Sequence, residues 1–101
     1  MQISNQPNPF TGTVIGDGSA TVSSAGTRVQ LSTTSTNISA VLIIAKTANT
    51  GTVWVGGSTV AAGRGRPLLS LQAELIQINN LNKVYIDADT SGDGVTYVYI
   101  L

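Results

Sequence analysis

Val95-Thr-Tyr-Val-Tyr-Ile-Leu101 reads as a β-strand along its whole length. Its β-branched and aromatic side chains suit a pleated, half-buried surface and fit a helix poorly. A second stretch, Val41-Leu-Ile-Ile-Ala45, is apolar on both faces and predicts a central strand covered on both sides. Working outward from these two, short runs rich in Val, Ile, Thr and Tyr alternate with Gly, Asn, Asp and Ser. They predict strands at Gly12–Ile15, Ser19–Ser23, Thr27–Ser32, Ala40–Thr47, Thr52–Val55, Leu69–Ile78, Lys83–Asp89 and Val95–Leu101. Asp17-Gly18, Asn49-Thr-Gly51 and Gly92-Asp-Gly94 supply residues that tolerate positive φ and are read as turns. The best helical candidate, Leu68–Leu75, alternates equally well as a strand through Leu69, Leu71, Ala73 and Leu75. Strands at this spacing predict an all-β fold, an antiparallel β-sandwich of about eight strands. Residues 12–101 are read as a single sandwich domain. Residues 1–11 (MQISNQPNPFT) are polar, hold prolines at 7 and 9, and read as an extended N-terminal arm anchored by Phe10.

Composition narrows the function. Histidine and cysteine are both missing, so the commonest neutral-pH proton carrier and thiolate chemistry are missing with them. The usual zinc, copper and iron ligands go too, and no cofactor is expected. Five basic residues balance five acidic ones for a net charge of zero, at 10% charged residues against about 25% in a typical soluble domain. Neutrality argues against duplex nucleic acid as a partner, because that affinity comes largely from Lys and Arg on phosphates. It favours a working state that is an assembly, since net charge is what normally keeps monomers apart. The longest apolar stretch, Ala40–Ala45, is far short of a membrane-spanning helix, and no membrane partner is expected. Met1-Gln-Ile-Ser-Asn-Gln-Pro7 lacks the basic start and apolar run of a secretory signal, so synthesis in a cytoplasm is expected.

A few segments could carry chemistry. Asp87-Ala-Asp-Thr-Ser-Gly-Asp93 has the oxygen spacing of a calcium loop at Asp87, Asp89, Ser91 and Asp93. Val98 stands where the bidentate Glu of such a loop belongs, and the flanks read as strands, so the alternative is a hairpin turn. Gly63-Arg-Gly-Arg-Pro67 places Arg64 and Arg66 where they could meet an acidic protein surface, or simply lie in a solvated loop. Trp54 should point away from Val53 and Val55, and Tyr85, Tyr97 and Tyr99 are spaced to share strand faces. Such aromatics either fill the sandwich or anchor an interface. The serines have no histidine to activate them, and Asp17 and Glu74 complete a sparse set of carboxylates, so no enzyme is expected.

A resemblance to a known family lies in Ile43-Ile-Ala-Lys46, Asn49-Thr-Gly-Thr-Val-Trp-Val-Gly56 and Ser58-Thr-Val60. It continues through Pro67-Leu68, Ile78-Asn-Asn-Leu-Asn-Lys-Val-Tyr-Ile86, Ala88-Asp-Thr-Ser-Gly-Asp93 and Val95-Thr-Tyr97. In these segments the chain resembles small phage virion proteins of the capsid decoration (cement) and head-fibre type. That resemblance implies a jelly-roll-like sandwich, a place on the virion's capsid surface, and the major capsid protein as partner. A homo-oligomer is expected; a trimer would fit pseudo-threefold positions, although nothing in these residues counts subunits. Leu69-Ser-Leu-Gln-Ala73 departs from the glycine-containing turn such proteins carry after the Pro-Leu pair. On this reading Gln2, Ile3 and Phe10 of the arm, with Trp54, Arg64 and Arg66, are the partner-binding residues. The other readings are a carbohydrate-binding or adhesion module of a head or tail fibre, and a tail or neck component.

Overall fold

The computed structural model describes residues 14–101. Eight strands run in the order β1 (Ile15–Thr21), β2 (Val29–Gln30), β3 (Ala40–Ala45), β4 (Val53–Gly56), β5 (Arg66–Leu68), β6 (Ala73–Ile76), β7 (Tyr85–Ala88) and β8 (Gly94–Ile100). They form two four-stranded sheets, β1-β8-β3-β6 and β2-β7-β4-β5, in which every paired neighbour is antiparallel. The β-sandwich expected from sequence is therefore the fold. A 3₁₀ turn, Leu81–Lys83, leads into β7, with the Asn80 side chain accepting from the Asn82 N–H as its cap.

The core is the space between the inner faces. Val41, Ile43 and Ala45 of β3 and Val95 and Tyr97 of β8 pack with Val53, Val55, Ile86, Ala88 and Leu68 of the other sheet. Val22, Leu31, Ile38, Leu81 and Val84, outside the strands, belong to the same cluster. Each fully buried Leu or Ile here, such as Ile43, Leu68 or Ile86, gains roughly 1.5–3 kcal/mol from leaving water.

Thr27–Ser32 shortens to Val29–Gln30 and Lys83–Asp89 to Tyr85–Ala88, and the expected strands shift in three further places, each for a physical reason. Of the expected strands Gly12–Ile15 and Ser19–Ser23, Ile15 and Ser19 to Thr21 fall in one strand, β1, and Asp17-Gly18 lies inside it rather than in a turn. Gly16 pairs with Tyr99 and Gly18 with Tyr97, and the two rings lie against these glycines. A β-carbon on Gly16 would sit 2.1 Å from Tyr99 Cζ, and one on Gly18 2.4 Å from the Tyr97 hydroxyl. These glycines make room for aromatic rings across the strand pair; they do not turn the chain.

The second shift is in Leu69–Ile78, of which only Ala73–Ile76 is strand. Leu69 to Gln72 form a tight turn closed by Gln72 N–H to Leu69 O (2.9 Å) and by Leu69 N–H to Gln72 Oε1 (2.9 Å). Leu71 takes φ +68° there, a left-handed conformation a leucine rarely adopts.

The third shift is β5 itself, in a segment read as loop because of Pro67. That proline is tolerated because β5 is an edge strand, where a missing N–H breaks no ladder.

Candidate functional site

The Asp-rich segment connects β7 to β8, which lie in different sheets, so it is an inter-sheet crossing and not the hairpin turn considered from sequence. Its side-chain oxygens go to separate partners. Asp87 is buried on the outer side of β7, where its Oδ1 accepts from the Gly26 N–H (3.0 Å) and from the Ala88 N–H (2.8 Å). Asp89 Oδ1 accepts from Trp54 Nε1 (2.9 Å), and Ser91 Oγ from the Ala25 N–H (2.9 Å). Asp93, also buried, receives the Thr50 N–H on both oxygens (3.2 and 3.1 Å) and the Gly51 N–H on Oδ2 (2.8 Å). Among the described residues no three carboxylates gather as a metal-binding group. The calcium-spaced run is distributed over four hydrogen-bonding tasks.

Those tasks form a clasp at one end of the sandwich. Asn49 donates from Nδ2 to the Gly94 carbonyl (2.8 Å) and accepts the Gly94 N–H on Oδ1 (3.0 Å). With Asp93 on Thr50 and Gly51, the Asn49–Gly51 segment is locked to the start of β8. Two pieces distant in sequence, Asn49-Thr-Gly51 and Ala88–Gly94, are thus one structural unit. Charge-assisted bonds of this kind to backbone N–H groups are the stronger class of hydrogen bond.

The aromatic and basic candidates divide between the two sheets. Trp54 lies on the outer face of β4, in register with Pro67 and Asp87, as its alternation with buried Val53 and Val55 predicted. It is half-buried, and its indole N–H is committed to Asp89. Tyr85 shares that outer face, whereas Tyr97 and Tyr99 point inward with ring centroids 6.2 Å apart. The Tyr97 hydroxyl is pushed above its ordinary range near 10, first by burial and then by Tyr99 and Asp17.

Arg66 Nε pairs with Glu74 Oε2 at 3.0 Å, joining edge strands β5 and β6 of opposite sheets. Half-exposed as it is, the pair contributes at most about 1 kcal/mol. Arg64 is exposed in the tight turn bridged by Ala61 and Arg64. The two arginines therefore do not act as one cationic patch. Gln2, Ile3 and Phe10 lie outside the described residues.

The two outer faces differ. The β2-β7-β4-β5 face is partly roofed by the segment after β1, through Gly26 on Asp87 and Arg28 Nη1 near the Val60 carbonyl (3.5 Å). The outer face of β1-β8-β3-β6 carries exposed Ile15, Leu42, Leu75 and Val98. This overturns the expectation that β3 is covered on both sides. Leu42 is exposed and Ile44 half-buried, so β3 is central within its sheet yet open on one face. The signal for this surface was already in Val41–Ala45: a run apolar on both sides needs two covers, and the described residues provide one.

No protein family, curated protein or solved structure matches this chain.

Proposed function

We propose that the protein is a phage virion structural protein, a capsid decoration (cement) protein that binds the outer surface of the major capsid protein lattice and stabilises the head. The observation that carries this reading is where the structure puts the residues of the family resemblance. Asn49, Gly51 and Asp93 meet in the end clasp, Trp54 and Asp89 pair, and Pro67 and Leu68 lie in the edge strand. A motif spent on building a rigid sandwich suits a protein that acts by shape and adhesion. The interleaved strand order, which returns the chain to the opposite sheet at every connection except β4–β5, supports the jelly-roll form of that sandwich.

Adhesion to a lattice needs little from each contact. A shell offers many identical sites, and a copy bridging two subunits gains from effective concentration. Binding the assembled shell over its dissociated parts stabilises the shell by mass action. A surface with so few charges would lose little of its grip in salt.

The test is cosedimentation of the purified protein with heads of the parent phage prepared without it. Saturable binding at a fixed stoichiometry, with a raised head-disruption temperature, is the expected result. Failure to sediment with heads, together with binding on a glycan array, would replace this reading with the adhesion module.

A further inference from the structure

We infer that the outer face of the β1-β8-β3-β6 sheet is a two-fold contact between two copies of this chain. The inference stands independently of any capsid binding. By register, Asp17, Val98, Leu42 and Leu75 form one row across the four strands, and Ser19, Thr96, Ile44 and Ala73 form the next. Beyond the Asp17 row lies another apolar one of Ile15, Ile100 and Ala40. Ile15 is 73% exposed, Leu75 60% and Leu71, in the left-handed turn beside β6, 64%. Val98, Leu42 and Leu75 in register across three strands, with Ile15 and Leu71 nearby, form an exposed apolar patch of the kind that marks an interaction site rather than scattered surface residues.

The charges on this face identify the occupant. Asp17 is exposed on β1. Lys46 follows β3, and its Nζ donates to Thr21 Oγ1 at 3.1 Å, which sets the ammonium beside β1 at the level of Thr21. Thr21 is four residues from Asp17 on the same side of the strand, about 13 Å along it. Ser19 is midway between them. A two-fold axis lying in the face along the Ser19–Thr96–Ile44–Ala73 row therefore sets Asp17 of each copy opposite the Lys46 ammonium of the other. Both contacts form at once, and no like charges meet.

Shape follows the same axis. Ile44, Lys46, Thr47, Ala48, Leu71 and Thr96 border an open groove of about 280 Å³ on one side of it. Leu42 and Val98 stand on the other side, so each copy's ridge is set toward its partner's groove. A net charge of zero leaves no long-range repulsion between copies.

The face measures roughly 20 by 20 Å by strand spacing and rise. That footprint is about half of the ~800 Å² a standard interface takes from each partner, which makes this a weak, transient contact to be sought at high protein concentration.

Sedimentation velocity on the full 101-residue chain, from about 5 to about 200 µM, tests this. The wild type is expected to pass from monomer to dimer over that range. Asp17→Lys or Lys46→Asp alone should weaken the dimer at least about tenfold, because each reversal sets like charges together twice. The double variant D17K/K46D should return to within about threefold of wild type, since the pairs re-form with signs exchanged. Leu75→Glu should also weaken the dimer about tenfold or more, with an unchanged melting temperature. A wild-type monomer at the highest concentration overturns the inference. So does a trimer indifferent to Asp17→Lys, or a double variant no tighter than the single ones.

Discussion

Removing the carboxylate of Asp93 should unfasten the end clasp, and the size of the effect follows from its bonds. Asp93 is 5% exposed and receives two backbone N–H groups, from Thr50 and Gly51. Asp93→Ala leaves both donors without their acceptor at a part-buried site. A hydrogen bond to a charged group contributes about 1.5–3 kcal/mol, and partial access of water to the Thr50–Gly51 turn recovers some of it. The expected loss is about 3 kcal/mol. With a urea slope of about 1–1.5 kcal/mol/M for a domain of this size, the midpoint should fall by about 2–3 M. Asp93→Asn keeps one acceptor oxygen but turns an amide donor toward a backbone donor, and should lose about half as much. Trp54 fluorescence is the convenient probe, because its indole N–H bonds to Asp89 at the other end of the same inter-sheet crossing. An Asp93→Ala midpoint within about 0.5 M of the parent would refute the clasp as a stabilising unit.

Two further outcomes test the packing of β8. A β-carbon on Gly94 would lie 2.2 Å from the Ala20 carbonyl oxygen and 2.9 Å from Thr21 Cα, backbone atoms that cannot swing aside. Gly94→Ala should therefore cost about 3 kcal/mol and lower the melting temperature by roughly 15 °C in a calorimeter. The raised Tyr97 hydroxyl makes stability fall in alkali. Below the ordinary tyrosine value near 10 both folded and unfolded states keep the proton, so the full stability is present. Above it the unfolded chain ionises first, and stability is lost as pH rises toward the folded value. Tyr97→Phe should flatten the decline in urea midpoint between about pH 9 and about pH 11, and an unchanged slope would remove Tyr97 as its source.

The sandwich was legible because alternation and β-branching are local signals, and in β4 and β8 they agree with the tertiary packing. What misled was always a residue whose local meaning was overruled by a neighbour distant in sequence. Asp17-Gly18 reads as a turn until Tyr97 is placed across from Gly18. Pro67 reads as loop until β5 is known to be an edge. Leu69, Leu71 and Leu75 alternate like a strand, yet Leu71 N–H bonds to the Ala45 carbonyl and bends the chain left-handed. The Asp-rich run was the same kind of case. Its spacing suited a cation, while the actual donors come from Gly26, Thr50, Gly51 and Trp54, none of which that spacing could reveal.

The asymmetry between the two outer faces links fold to function. A β-sandwich needs only its inner faces apolar, and polar residues outside keep it soluble. Here one outer face is fastened down by the chain's own loop, through Gly26 on Asp87 and Ala25 on Ser91. The other keeps Leu42, Leu75 and Val98 in solvent on strands whose neighbours could have carried Thr or Ser at no cost to the core. Hydrophobic groups held exposed in this way lower stability toward aggregation and contribute nothing inside the sandwich, so their use is outside it. A two-fold contact on that face leaves Trp54 and Arg64 uncovered, the first on the opposite sheet and the second in the β4–β5 turn. If both proposals hold, self-association and adhesion to a larger lattice would draw on different sides of the same small domain, and a dimer would present two lattice-binding sides at once.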